Sequence, residues 1–460
     1  MKTKTSMDMT RGPLLGKILL FSLPLMASNV LQLLFNAADV VVVGRFAGHA
    51  SLAAVGSTVS VIFLFINMLI GLSVGVNVVI ARYLGMDGYG REISKTLHTA
   101  VLVALAGGIA LGAAGIAAAG RVLDLISVPD DVRPLALVYM RLYFVGTPFN
   151  MLYNYGAAAL RAKGDTRRPL LFLLISGVVN VVLNLIFVIP LQMNVAGVAL
   201  ATVTSQALSA CLILRCLSRS GDALCFSWNR LCLDKRSLVD MARIGIPAGV
   251  QSCLFSLANV SIQSAINSYD SIIMAGSSAS ENIENFLYSS MNAFHHACQT
   301  FTSQNVGAGR YDRTPRIVGA CLLCVFVLGV AQSALAVCFA HLLISIYNSE
   351  PAVIAAGAQR MAIIAAPYAV FGMADVLVGA IRGSGVPIAP VVINLLCTCA
   401  FRLLWIHFLD TGKVGVAWVY SAFPITWVLL FAALSVFWLF LWRRDRGKRE
   451  AAKQKFQEEG

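Results

Sequence analysis

Charge is scarce in this 460-residue sequence. Asp, Glu, Lys and Arg make up 12% of it, against about 25% in a soluble domain. Apolar residues make up 58%, and the mean hydropathy is +0.77. The length alone would allow about two to four soluble domains, but this deficit excludes them and points to a chain that crosses a membrane repeatedly. Other signatures are missing too. There is no Gly-x4-Gly-Lys-Ser/Thr loop, which argues against ATP as an energy source. No HExxH, GxSxG or comparable nucleophile arrangement lies within an apolar run, so an enzyme is not expected. No secretory leader is evident, because the first apolar run is too long and lacks a small-residue cleavage site. The eleven cysteines are scattered, mostly in apolar runs. Cys321 and Cys324 form a CxxC with no second pair near it, and they read as small hydrophobes.

What the sequence does have is long apolar runs. A spanning helix needs about 20 mostly apolar residues. Twelve runs qualify, at roughly 15–43, 51–81, 95–119, 134–160, 168–190 and 195–217, then 239–268, 272–305, 315–340, 353–381, 387–409 and 414–442. The longest polar stretch between them, 218–237, divides the chain almost in half. The expected organisation is a six-helix bundle over 1–217, a cytoplasmic linker over 218–237, a second bundle over 238–442 and a basic cytoplasmic tail over 443–460.

The net charge of +13 would suggest nucleic acid in a soluble protein. Here it sorts by topology. With a cytoplasmic N-terminus, 28 of the 35 Lys and Arg fall on the cytoplasmic side. They sit in the N-terminal segment, in the loops around 82–95, 161–168, 215–243 and 310–316, at Arg382 and in the tail from Arg443. The opposite loops hold Arg45, Arg121, Arg133 and Lys413, while Arg141, Arg360 and Arg402 fall within spans. This obeys the positive-inside rule and places both termini in the cytoplasm. Nucleic acid is not an expected partner.

The two halves repeat. Lys17–Pro24 resembles Asp240–Pro247, Ser51–Ser57 resembles Ser271–Ser277, and Arg141 precedes Pro148 by the same seven residues that separate Arg360 from Pro367. Leu160–Pro169 matches Ile381–Pro390, and Gly197-Val-Ala matches Gly415-Val-Ala. Six spans per half start both halves on the same side, so the repeat is parallel, with a pseudo-twofold axis along the membrane normal. Two facing bundles form a cleft suited to alternating access.

A few polar residues remain at membrane depth, where each must face protein or water. Asp39 lies in the outer half of span 1 and is followed by four valines. A carboxyl there can take up a proton or a Na⁺ ion. Pro24, fifteen residues earlier, marks a bend. Asn180 and Asn184 in span 5 share a helix face, and Asn154 adds an amide from span 4. These three with Asp39 are the candidate cation-coupling site, and each amide could equally serve as an interhelical hydrogen bond. Glu284, Asp375 and Arg402 are the candidate polar site of the second half, in either a structural or a functional role. Glu281 reads as solvated near the outer surface, and His295 and His296 read as satisfied structural histidines.

Local phrases then carry a family resemblance: Pro24 with Asp39-x4-Gly44, Leu160-Arg-Ala-Lys-Gly-Asp-Thr166, Asn180-x3-Asn184, Ile283-Glu284-Asn285-Phe286, Ile381-Arg-Gly-Ser-Gly385 and, most specific, Gln304-Asn305-Val-Gly-Ala-Gly309 followed by Arg310. With twelve spans over nearly the whole length, the chain resembles the multidrug and toxic compound extrusion (MATE) family. The resemblance implies a cation-coupled exporter of amphipathic or cationic organic compounds, with the span-1 Asp and polar residues of spans 4 and 5 forming an amino-terminal cation site. Asp39 and Asn180 carry over. Asn184 departs from the family, since many relatives have Asp there, and an amide cannot release a proton. Asp39 is then the only acid of that pocket. A span-7 carboxylate used in other branches has no counterpart among Gln251, Asn259 and Gln263.

The expectation is therefore a monomeric multi-pass transporter of the cytoplasmic membrane. It would export small organic substrates in exchange for H⁺ or Na⁺ and need no cofactor, with no metal other than Na⁺ at Asp39. The alternative is a flippase for a lipid-linked oligosaccharide or a related lipid. That function calls for several cations in a deep cleft, and Arg141, Arg360 and Arg402 form no obvious cluster in the sequence.

Overall fold

The computed structural model describes residues 7–86, 88–126, 128–408, 415–445, 447 and 450. Lys2, Lys4, Lys413 and most of the basic tail past Asp445 lie outside the described residues.

All regular structure among the described residues is helical. In chain order come α1 (Leu14–Phe46), α2 (His49–Gly85), α3 (Gly90–Leu125), α4 (Arg133–Val145), α5 (Thr147–Ala162), α6 (Arg167–Val188) and α7 (Asn194–Ser218). The second half has α8 (Lys235–Ile266), α9 (Ser271–Gly307), α10 (Thr314–Cys338), α11 (Ala340–Ser345), α12 (Pro351–Ile364), α13 (Tyr368–Gly383), α14 (Ile388–Asn394), α15 (Phe401–Phe408) and α16 (Val416–Arg444). A π-helical segment, Leu395–Ala400, joins α14 to α15.

Each of the twelve predicted spans is a helix or a broken helix. Span 4 is α4 and α5, broken at Gly146. Span 10 is α12 and α13, bent by 48°. Among the described residues nine helical stretches are long and apolar enough to cross a membrane, and the bent pair makes a tenth. Of the other two predicted spans, α4 and α5 are each too short alone, at 13 and 16 residues, and α9 carries Glu281, Glu284, His295 and His296 along its length. The chain is an all-α integral membrane protein whose two six-span halves repeat one element order.

The chain forms two compact units. One takes Ala27–Gly249; the other takes Asp8–Met26 and the chain from Val250. The polar stretch 218–237 belongs entirely to the first unit, and its Leu224 and Phe226 are buried in that unit's core. Both boundaries fall inside helices, α1 and α8, and each lies two residues past a proline, Pro24 and Pro247. Proline lacks an N–H and crowds the carbonyl one turn back, so both helices are weakest there.

Close packing explains why the start of α8 joins the first unit. Gly71 and Gly75 of α2 face Gly245 and Gly249 of α8. A Cβ at Gly71 would lie 2.5 Å from the Cα of Gly249, one at Gly245 would lie 2.6 Å from the Leu72 carbonyl oxygen, and one at Gly75 would collide with the Met241 carbonyl. Small residues four apart on both helices let the backbones meet, a main source of attraction where lipid removes the hydrophobic drive. Gly75→Val is expected to destabilise the fold by about 1–3 kcal/mol, read as a lower melting midpoint in detergent. Gly16→Ala, with nothing within 4 Å, should leave it unchanged.

α6 shows how burial inverts in a membrane. Leu171, Leu174, Ile175, Val178, Val182 and Leu185 are exposed on one stripe, while Ser176, Gly177, Asn180 and Asn184 are buried on the other. Hydrocarbon takes the apolar face and protein takes the polar one.

Candidate functional site

In the first unit α1 brings Asp39 against α6. The Asn184 amide donates to Asp39 Oδ1 at 2.5 Å. The same amide lies 3.3 Å from Asn180 Oδ1, and the Asn180 amide donates to the Thr202 hydroxyl of α7 at 3.4 Å. Asn184 is wholly buried, and its Oδ1 accepts no hydrogen bond among the described residues. The cluster thus holds a carboxylate that can take a proton or a hard cation, and a buried amide oxygen that can ligate a hard cation or accept a hydrogen bond but cannot hold a proton. Register at this site depends on packing: Phe35 of α1 lies against Gly177 of α6, where any larger side chain would overlap its ring.

Asn154 stands apart. Its amide donates to the Asn150 carbonyl at 2.9 Å and to Asn150 Oδ1 at 2.8 Å, so it is bonded within α5. Thr202 is the residue that sequence reasoning missed. A lone threonine in an apolar helix gives no signal until its partner is known.

In the second unit the three predicted residues take three different sets of partners. Glu284 of α9 accepts two parallel bonds from Arg360 of α12, at 3.1 and 3.2 Å, and one from the Ser280 hydroxyl at 2.8 Å. Asp375 of α13 accepts from the Asn292 amide at 3.0 Å. His295 Nδ1 lies 3.0 Å from the Asp375 carboxylate and 2.7 Å from its carbonyl, so that nitrogen carries a hydrogen and donates. Arg402 has no carboxylate partner among the described residues. It donates to Asn259 Oδ1 at 2.7 Å and to the Thr426 hydroxyl at 3.3 Å. Its guanidinium lies 4.4 Å from the centre of the Phe423 ring, and that of Arg360 lies 5.7 Å from the same ring. The π-helical segment ends two residues before Arg402, an irregularity often found at functional sites.

An aromatic cluster connects these groups. Phe371 contacts Phe255, Tyr288, Tyr368 and Trp427, and Trp427 also contacts Phe423. Sequence reasoning gave no site role to Arg360, Asn292 or His295. The signal was present: Glu284, Tyr288, Asn292, His295 and Gln299 recur at helical spacing along one face of α9.

The most specific sequence phrase proves to have a structural use. Asn305 of Gln304-Asn305-Val-Gly-Ala-Gly309 donates to the Met9 carbonyl at 3.1 Å and to the Phe301 carbonyl at 2.8 Å. Arg313 donates to the Gly12 carbonyl at 2.9 Å. The phrase ties the segment before α1 into the second unit. Asn305→Ala should cost about 1–2 kcal/mol locally, seen as faster amide hydrogen exchange over residues 8–13.

The sequence profile of the MatE family matches residues 24–186 and 247–406, one block in each half. The chain belongs to the MatE family. It is 28% identical over 395 residues to "Probable multidrug resistance protein YpnP" of Bacillus subtilis (strain 168), covering 86% of this chain and 88% of the relative. It is 26% identical over 434 residues to the "FAD transporter" of Shewanella oneidensis, covering 90% and 92%. Its fold is similar to that of a multidrug resistance MATE family transporter of the MOP superfamily solved in an outward-facing conformation, with a TM-score of 0.87, 21% identity and coverage of 98% and 100%. Membership makes this MatE protein a multi-pass membrane transporter of small organic compounds, and efflux is the function its multidrug-resistance relatives support.

Proposed function

We propose that the protein is a secondary active exporter of amphipathic or cationic organic compounds, driven by inward movement of H⁺ or Na⁺ and working by alternating access. The observation that carries this reading is the Asp39–Asn184 contact: an acid on α1 held by a buried amide of α6. Loading Asp39 with a cation removes its charge and so changes what α1 gains by packing against α6. The two prolines supply compliant points at which that change can be relayed, since α1 and α8 each pass from one unit to the other just beyond them. Pro24 is then a hinge of α1, and Pro247 is its repeat in α8. One charge moving inward through 100 mV releases about 2.3 kcal/mol, enough for roughly a 50-fold gradient of a neutral solute.

The proposed location is the cytoplasmic membrane, with both termini in the cytoplasm and the monomer as the working unit. The flippase alternative gains no support from the relatives, which are named for drug resistance and flavin transport.

One observation favours a second substrate class, organic anions with an aromatic ring. Arg402 is fully buried and meets no carboxylate, while its Nη2 and Trp427 Nε1 donate to nothing among the described residues. The FAD-transporting relative fits that chemistry. Expression in a drug-sensitive bacterium tests both readings. Lowered ethidium accumulation that an ionophore restores supports the cationic class. Unchanged ethidium with increased release of flavin nucleotide into the medium supports the anionic one. No change in either would overturn export.

A further inference from the structure

The first unit also has a basic cavity that Asp39 does not line. This cavity of about 450 Å³ opens where α3 begins, between that helix and the stretch after α7. Arg91, Lys95 and His98 line it at helical spacing along one face of α3, and Arg230 closes it from the linker. Asp222 also lines it but is ion-paired with Lys163, and Lys95 lies 3.6 Å from Asp234. Arg91 and Arg230 have no ion-pair partner among the described residues. Like charges four apart on a helix repel, so Arg91 and Lys95 both gain from an anion between them.

The linker is held over this cavity rather than draped across it. His98, buried at the cavity floor, donates from Nδ1 to the Ser94 carbonyl at 2.7 Å, and the Ser227 N–H donates to its Nε2 at 3.1 Å. The His98 ring stacks on Phe226, and Phe226 meets Trp228 edge-on at 5.0 Å. Ser227 thus anchors the turn that carries Arg230. Either side of Arg230, Trp228 is 58% exposed and Leu233 is 56% exposed. A tryptophan and a leucine flanking an arginine are the side chains that settle at a membrane–water boundary. This is also the membrane face on which the basic loops collect.

We infer that the cavity binds a phosphate-bearing anion of glycerophosphate size, held by Arg91, Lys95 and Arg230. Clusters of basic side chains at the headgroup level take anionic lipid headgroups by this chemistry, and a soluble organic phosphate would use the same donors. The inference does not depend on what the protein transports.

The test uses the full-length protein in detergent, with native mass spectrometry reading bound phosphatidylglycerol against phosphatidylcholine and, separately, bound glycerol 3-phosphate. The wild type is expected to retain phosphatidylglycerol at least tenfold better than Arg91→Gln/Arg230→Gln does, with phosphatidylcholine equal in both. Ser94→Glu, which places a carboxylate in the cavity, should abolish retention in the same way. Retention of glycerol 3-phosphate alone, lost in the same variants, would make the soluble phosphate the source and leave the site in place. If the variants retain both probes as the wild type does, or if the wild type retains neither, the inference is wrong.

Discussion

Asp39→Asn is expected to abolish gradient-driven efflux while the protein still folds and inserts. The substitution keeps the size and hydrogen-bonding shape of the side chain, so the Asn184 amide retains an acceptor and the packing of Phe35 on Gly177 is undisturbed. It removes the ability to gain and lose charge, and Asn184 cannot replace it. Among the described residues no other acid joins this cluster, so on the proposed mechanism nothing there replaces Asp39. The accumulation ratio that coupling can sustain, roughly 50-fold per cation at 100 mV for a neutral solute, is expected to fall to the passive value. Dye efflux from energised vesicles checks this, with melting in detergent as the folding control. Unchanged efflux in a folded Asp39→Asn protein would remove Asp39 from the coupling step.

Glu284→Ala has the largest expected effect on stability. Glu284 is 6% exposed and Arg360 is 2% exposed, and the two share a pair of parallel hydrogen bonds. Removing the acid leaves a guanidinium buried without a carboxylate, which typically costs about 3–5 kcal/mol. Glu284→Ala should therefore melt well below the wild type in detergent. Glu284→Ala/Arg360→Met, which removes both charges and fills the space with an apolar chain, should recover most of the loss. If Glu284→Ala melts like the wild type, the Arg360 charge is solvated by some other route and the pair is not structural.

Most spans were legible because the membrane imposes a length and polarity that ten of them meet, and every predicted run became a helix or a broken helix. Even α9 was found despite Glu281, Glu284 and two histidines, since apolar stretches lie between them. The Asn180–Asn184 face was legible for the same reason: two amides four apart at membrane depth have to turn toward protein. Partner choice was not legible. Asp39 and Asn184 are separated by 145 positions, and nothing in either local sequence names the other. Arg402, grouped with Glu284 and Asp375 by the sequence, rests on Asn259, Thr426 and the Phe423 ring, while the carboxylate pair formed at Arg360. A π-helical turn just before Arg402 shifts the register of that face, and no pattern in Leu395–Ala400 announces it. The unit boundaries were hidden too. They sit beside Pro24 and Pro247 inside helices, where close packing of Gly71 and Gly75 on Gly245 and Gly249 decides which unit the start of α8 joins.

The central claim is cation-coupled export through Asp39, and one measurement tests it most directly. Purified protein is reconstituted in vesicles without ATP, a pH gradient or a Na⁺ gradient is imposed alone, and movement of a cationic dye is followed with wild type and Asp39→Asn in parallel. One of the two gradients is expected to drive dye against its own concentration in the wild type, to stop when an ionophore collapses it, and to have no effect in the variant. Dye movement that ignores both gradients, or that persists in Asp39→Asn, would contradict the mechanism.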